Sequence, residues 1–190
     1  IAPILVLHPQ PINFKKAIEF NLEPSLYSDR TLKAFVAVAA KMKQKNFPVH
    51  IKFNTGLNRL GFLNDASKRI ASNLFKEKSV KVKSVFSHLA ASEDKNERAF
   101  TLRQIDQFSE ICKEFECGYG ALPIRHLCNT SGVINYPEAA FDMVRCGIGL
   151  YGYDNRFGKF KDLLPVLSLK TVISQIHKLK KGDSVGYNRA

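Results

Sequence analysis

A lysine and an arginine seven residues apart, Lys52 and Arg59, stand in the stretch "HIKFNTGLNRLGF" (residues 50–62), which opens as an alternating, strand-like run. His88 falls in "VKSVFSHL" (82–89), Asn129 and Thr130 follow "IRHLC" (124–128), and Arg145, Gly147 and Ile148 lie in "MVRCGIGLYG" (143–152). Taken singly, each fits a structural role as well as a chemical one. Together, two guanidiniums, an ammonium, an imidazole and a Gly-Ile amide step make up the equipment of a pocket for a small anion.

These residues share a position relative to the elements around them. Short β-branched runs alternate with helical patterns: "ILVL" (4–7) before "FKKAIEF", "SLYS" (25–28) before a helix with Asp29 as N-cap, "VHIKF" before a helix over 65–75. "VKSVFSHL" precedes a helix over 96–115, "IRHLCN" precedes a short helix, and "MVRCGI" closes the series. Six strands alternating with five helical segments predict parallel crossovers, hence an α/β sheet or barrel. In a parallel barrel the loops after the strands converge over one mouth, and every candidate residue lies at such a strand end. Beyond Pro165 the pattern changes to "VLSLKTVISQIHKL" and a turn at Lys181-Gly182-Asp183, which reads as antiparallel β structure. The expected organisation is therefore an α/β domain over 1–163 and the start of a β domain over 164–190, with the boundary at 162–165.

The chain has 190 residues, 45% of them hydrophobic and 24% charged, enough for a globular domain with a real core. Its formal charge of +12 is spread over many short segments, Trp is absent, and no nucleic-acid-binding signature appears, so a solvated basic surface accounts for it. No apolar run is long enough to span a membrane. The four cysteines form no C-x-x-C pair and no metal-ligand pattern, and a reducing cytoplasm is the expected setting.

The blocks "KFNTGLNRLGF", "SHLAASED", "HLCNTSGVINYPEAAFDMVRCGIGLYGYD" and "LKTVISQIHKLKKGDSVGYNRA" resemble, in order and spacing, signature blocks of the alanine racemases. The resemblance runs from about residue 4 to the last residue, and the "NRLG" and "DMVR" blocks are specific to that family. It implies a partial (β/α)8 TIM-type barrel that binds pyridoxal 5′-phosphate (PLP), followed by a β domain completing the site of a second subunit. It further implies a homodimer that interconverts L- and D-alanine for peptidoglycan precursor supply.

Carried over residue by residue, the resemblance assigns Lys52 to a lysine carbamylated in many members, which would hold Arg59 in place. Arg59 is directed at the cofactor's phenolic oxygen and the substrate carboxylate. Arg145 faces the pyridine nitrogen with His88 as its hydrogen-bonded neighbour, and Thr130 with the amides of Gly147 and Ile148 forms the phosphate cup, its turn ordered by Asn129. Tyr187, in "SVGYNRA", matches the catalytic tyrosine that reaches a partner's barrel. Three departures stand out: Thr130 where Ser is usual, Cys146 where Pro is usual, and Asn54 where Asp is usual.

The family's Schiff-base lysine lies on the first barrel strand, in a block resembling K-A-N-A-Y-G-H-G, and no such block occurs here. The chain opens with Ile-Ala-Pro, and its first strand looks like the third of the barrel. The expectation is the middle of a racemase, about strands 3 to 8, inactive alone, and the sequence leaves open a fusion with a cell-wall ligase. Two alternatives share the barrel: a non-catalytic PLP carrier, which lacks the following β domain, and a PLP-dependent amino-acid decarboxylase, whose blocks match less well.

Overall fold

The structure, a computed structural model, describes residues 2–154 and 163–187. Five parallel strands, β1 (Ile4–Val6), β2 (Leu22–Leu26), β3 (Phe47–Lys52), β4 (Val80–Phe86) and β5 (Ile124–His126), pair in the order of the sequence. Helices α1 (Phe14–Glu19), α2 (Asp29–Lys41), α3 (Ser67–Lys76) and α4 (Arg98–Tyr119) fill the crossovers, and α5 (Thr130–Asn135) follows β5. When every crossover steps one strand in the same direction with the same hand, all helices land on one face of the sheet. The other face is the inner wall of an α/β half-barrel.

The core lies between the helices and the outer face of the sheet. Val49, Ile51 and Val85 meet Phe35, Ile70, Leu74, Phe108, Ile111 and Phe115 there, all at most 3% exposed. A bulge in the pairing of β3 with β4 decides what faces inward. Val49 pairs with Val82 but His50 pairs with Ser84, so one residue of β4 is skipped and the side-chain alternation changes phase. Before the bulge Val80 and Val82 join the core; after it Val85 does, and Ser84 and Phe86 turn to the inner wall beside His50 and Lys52.

Four expectations need correction. The run "MVRCGI" is not a sixth strand: its backbone pairs with β5 through a single bridge, Met143 to His126, and a 3-10 turn begins at Ile148. Phe141 at a positive φ of 51° and Gly147 at ψ −94° bend the backbone on either side, which leaves no length for a ladder. The N-cap of α2 is Ser28 rather than Asp29. Ser28 is extended, accepts the Thr31 N–H at 3.2 Å, and its own amide donates to the Thr31 hydroxyl at 3.1 Å, a reciprocal cap. Asp29 instead sits in the first turn and holds Arg69 with two bonds of 3.0 and 3.1 Å.

The second strand also starts earlier than "SLYS", because Glu23 and Pro24 pair with β1 before Ser25 and Leu26 pair with β3. Finally, "VLSLKTVISQIHKL" forms no strand among the described residues. Leu169, Val172 and Ile173 are exposed, and a strand needs a ladder partner that none of the described segments provides. The turn near Gly182 is present, closed by Asp183 N–H to the Lys180 carbonyl at 3.0 Å. Residue 162, at one end of the expected boundary, lies outside the described residues.

Candidate functional site

The spacing of Lys52 and Arg59 follows from how the chain leaves β3. Phe53 pairs with Phe62, Asn54 N–H donates to the Phe62 carbonyl at 2.8 Å, and Phe62 N–H donates to the Lys52 carbonyl at 2.9 Å. The loop thus returns to the strand end it left. Asn54 organises it from inside: its side-chain oxygen accepts from the amides of Gly56 and Asn58 at 3.1 and 2.9 Å, and its amide donates to Asn58 Oδ1 at 2.9 Å. An aspartate could make the first two bonds but not the third, so Asn54 is built into this loop. Arg59 is carried on the returning arm, exposed at the rim of the same cavity in which Lys52 is buried.

That cavity has a volume of about 820 Å³ at the C-terminal ends of the strands. Lys52, Arg59, His88, Asn129, Thr130, Arg145, Gly147 and Ile148 all line it, as do Leu7 and His8 after β1. Three of the lining residues are cations and none is a carboxylate. Such a wall attracts an anion and repels a cation.

Arg145 is the most heavily bonded group in the site. Nη1 donates to His126 Nδ1 at 2.5 Å and to the His126 carbonyl at 3.2 Å. Nη2 donates to the Ser87 carbonyl at 2.7 Å, to His88 Nδ1 at 3.1 Å and to the Leu127 carbonyl at 3.3 Å. The guanidinium also lies over the Phe86 ring, 5.2 Å from its centroid. The four Nη hydrogens are therefore spoken for, and Nε–H remains to meet a ligand. Burial pushes the Arg145 pKa down to about 10, which still leaves a cation near neutrality.

The histidines beside it are neutral. Burial, then the charges of Arg145, Lys52 and Arg59, bring His88 down to about 4. Burial, then Arg145 and His50, bring His126 down to about 3. Lys52 is also shifted downward, first by burial and then by Arg59 and Arg145, and its ammonium lies 5.8 Å from the centre of the Phe86 ring.

Elsewhere in the lining, the Thr130 hydroxyl oxygen accepts the amides of Gly147 and Gly149 at 3.0 and 3.1 Å. Two amides are thereby tied to one side chain, and the Ile148 amide between them has no acceptor among the described residues. Asn129 caps α5: its side-chain oxygen accepts Gly132 N–H at 2.8 Å and the Ser92 hydroxyl at 2.9 Å. Tyr187 stands apart, fully exposed and not among the residues lining the cavity.

The sequence reading missed a polar layer behind Arg145: Glu23, His50, Ser84 and His126, all at most 6% exposed on the inner wall. A signal for it existed. Polar residues stand at alternate positions of "HIK", and Ser84 interrupts "VKSVF", where a strand buried on both faces ought to read as continuously apolar.

These observations define the class of the chain: a parallel α/β half-barrel with a cationic cavity at its strand ends. The family profile described as alanine racemase, N-terminal domain, matches residues 1–155, and the chain belongs to that family. It is 35% identical over 193 residues to an alanine racemase of Clostridium tetani, covering 99% of this chain and 49% of that protein. An alanine racemase of Treponema denticola is 31% identical and covers 100% of the chain. Among solved structures, the biosynthetic alanine racemase of Pseudomonas aeruginosa superposes with a TM-score of 0.84 at 25% identity, covering 100% of this chain and 51% of that one. An alanine racemase of Bartonella henselae with covalently bound pyridoxal phosphate superposes over 80% of this chain and 42% of that one, with a TM-score of 0.67 at 25% identity. The chain spans about half the length of the curated relatives it matches.

Proposed function

We propose that this chain supplies the cofactor-holding wall of an alanine racemase, in which PLP is the anion of the cavity and alanine the substrate. The observation that carries the reading is the convergence of Lys52, Arg59, Arg145, Thr130 and the Ile148 amide on one cavity without a lining carboxylate. The donor set fits the cofactor. The unpartnered Ile148 amide beside Thr130 suits a phosphate oxygen, and the remaining Nε–H of Arg145 suits a ring nitrogen that stays an acceptor.

When bound, PLP lends an electron-accepting ring that acidifies the Cα–H of the amino acid attached to it. The chain's own residues do the rest. Arg145 keeps its proton near neutral pH, so it donates to the ring nitrogen without protonating it, which tempers the ring as an electron acceptor. Arg59 receives the substrate carboxylate. Lys52 is a buried amine beside two arginines, and both charges raise its share of the free base. That is the form that adds carbon dioxide, and the resulting carbamate would turn a third cation into an anion able to hold Arg59.

The same reading takes residues 164–190, which form no strand among the described residues, as the start of a β domain whose ladder partners the rest of that domain would supply; it makes Tyr187 the acid–base group of a partner's cavity in a homodimer, and places the enzyme in the cytoplasm supplying D-alanine for the cell wall. The test uses the full-length protein with Arg145→Glu. A carboxylic acid there lets the ring nitrogen take a proton, so alanine racemisation should fall at least tenfold while transamination to pyruvate rises. A variant that matches the parent in both would overturn the placement of Arg145.

A further inference from the structure

The donor and acceptor roles behind Arg145 can be assigned from one fixed point, because a guanidinium only donates. His126 Nδ1 must therefore hold a lone pair, and the hydrogen of this neutral ring is on Nε2. That hydrogen goes to Ser84 Oγ at 2.7 Å. The serine hydroxyl, now an acceptor on that side, turns its own hydrogen to His50 Nδ1 at 2.5 Å. His50 in turn carries its hydrogen on Nε2 and donates to Glu23 Oε2 at 2.9 Å. Lys83 donates to the other oxygen of Glu23 at 2.8 Å. Every link has one donor and one acceptor, and no atom is left over.

We infer that Glu23, His50, Ser84 and His126 are positioning residues for Arg145, a one-way hydrogen-bond chain running from its guanidinium to a buried carboxylate. Each group donates in the same direction, so the bond dipoles add head to tail and join the cation to an anion three side chains away. The reverse order is not available. Hydrogen on His126 Nδ1 would point a donor at a donor, and a protonated His50 would set two donors on Ser84 Oγ and strand the serine's hydrogen.

What the chain accomplishes is the selection of one guanidinium face. With Nη1 held by His126 and Nη2 by Ser87 and His88, the arginine cannot rotate about its long axis, and Nε–H is the donor presented to the cavity. The bulge between Val49 and His50 is what makes this possible, since without it Ser84 would face the helices. The inference rests on the proposed function only for the identity of the ligand that Nε–H meets.

The test is nitrogen NMR of the full-length protein with labelled histidine and arginine, with and without PLP. His50, His88 and His126 should each show one protonated nitrogen, Nε2, and one lone-pair nitrogen, Nδ1, from pH 6 to 8. Ser84→Ala should leave His126 in the tautomer that Arg145 dictates but strand its Nε2 hydrogen, shifting the Nε2 and Hε2 resonances, and weaken PLP binding at least tenfold, and Ser84→Thr should restore both. Glu23→Gln, whose amide oxygen still accepts from His50, should keep the His126 tautomer. Hydrogen on Nδ1 of His126 in the parent protein would overturn the inference outright. So would a Ser84→Ala protein with the parent's His126 Nε2 resonances and PLP affinity. If PLP does not bind at all, the tautomers still read the chain, and it is the ligand assignment that fails.

Discussion

At the scale of single residues, Thr130 and the two histidines make the most exposed claims. The Thr130 hydroxyl holds Gly147 and Gly149 in place, so its removal strands two amides as well as one side-chain donor. A stranded amide costs about 1–3 kcal/mol. Thr130→Val in the full-length protein should therefore weaken PLP binding by about 10- to 100-fold, given about 1.4 kcal/mol per tenfold. Thr130→Ser should stay close to the parent, because only the methyl is lost, and a titration of PLP absorbance checks both.

The histidines predict a pH dependence of stability. His126 stays neutral in the folded chain down to about pH 3, and His88 to about pH 4, whereas an unfolded histidine takes up its proton near 6.5. Below 6.5 the unfolded chain binds more protons, so folding stability must fall as the pH falls. For His126 alone the slope approaches about 1.4 kcal/mol per pH unit. Urea midpoints between pH 7 and 5, where most carboxylates remain ionised, should decline, and His126→Asn should flatten the decline even though it starts from a less stable protein.

At the scale of elements, the loop between β3 and α3 depends on a glycine that no side chain can replace. Gly61 has φ +140°, and a Cβ there would lie 2.5 Å from the Asn54 amide nitrogen and the Phe53 carbonyl carbon. Gly120, the left-handed cap of α4, has φ +79° but open space, with its nearest neighbour, Phe75, 3.8 Å away. Gly120→Ala should cost about 1 kcal/mol, and Gly61→Ala clearly more, because steric overlap adds to a strained backbone of about 1–3 kcal/mol. Urea unfolding of the two variants ranks them; equal midpoints would mean the loop yields without cost.

The same loop marks where sequence reasoning succeeded and where it ran out. Alternation in "VHIKF" and the spacing to Arg59 were enough to expect both cations at one strand end, because strands end where their period ends. The bulge beside His50 was invisible, since it depends on which residue of a partner strand is skipped. With it the inward turn of Ser84 was also out of reach, although the polar alternation of "HIK" already pointed to a polar inner wall. "MVRCGI" failed for a related reason: its composition suits a strand, but pairing is decided by backbone bends at Phe141 and Gly147 that composition does not encode.

At the scale of the whole molecule, the described residues gather the groups suited to hold the cofactor and leave the second half of the proposed chemistry elsewhere. No K-A-x-x-Y-G block occurs in the 190 residues, so they should bind PLP without a covalent link and racemise nothing alone. Borohydride reduction followed by mapping of the adduct tests this, and a single stoichiometric adduct accompanied by racemisation would refute it. Tyr187 carries the complementary expectation. Racemisation needs acid–base groups on both faces of Cα, because one group would have to cross the substrate plane between taking the proton and returning it. Tyr187 is fully exposed, four residues beyond the Asp183 turn and outside this chain's own cavity, as a group offered to another subunit would be. In the full-length protein, Tyr187→Phe should leave PLP binding intact. Exchange of Cα–H with solvent deuterium should then drop at least a hundredfold for L-alanine and persist for D-alanine, whose proton is taken from the other face. Undiminished exchange from both enantiomers would make Tyr187 a packing residue and move the second base to another side chain.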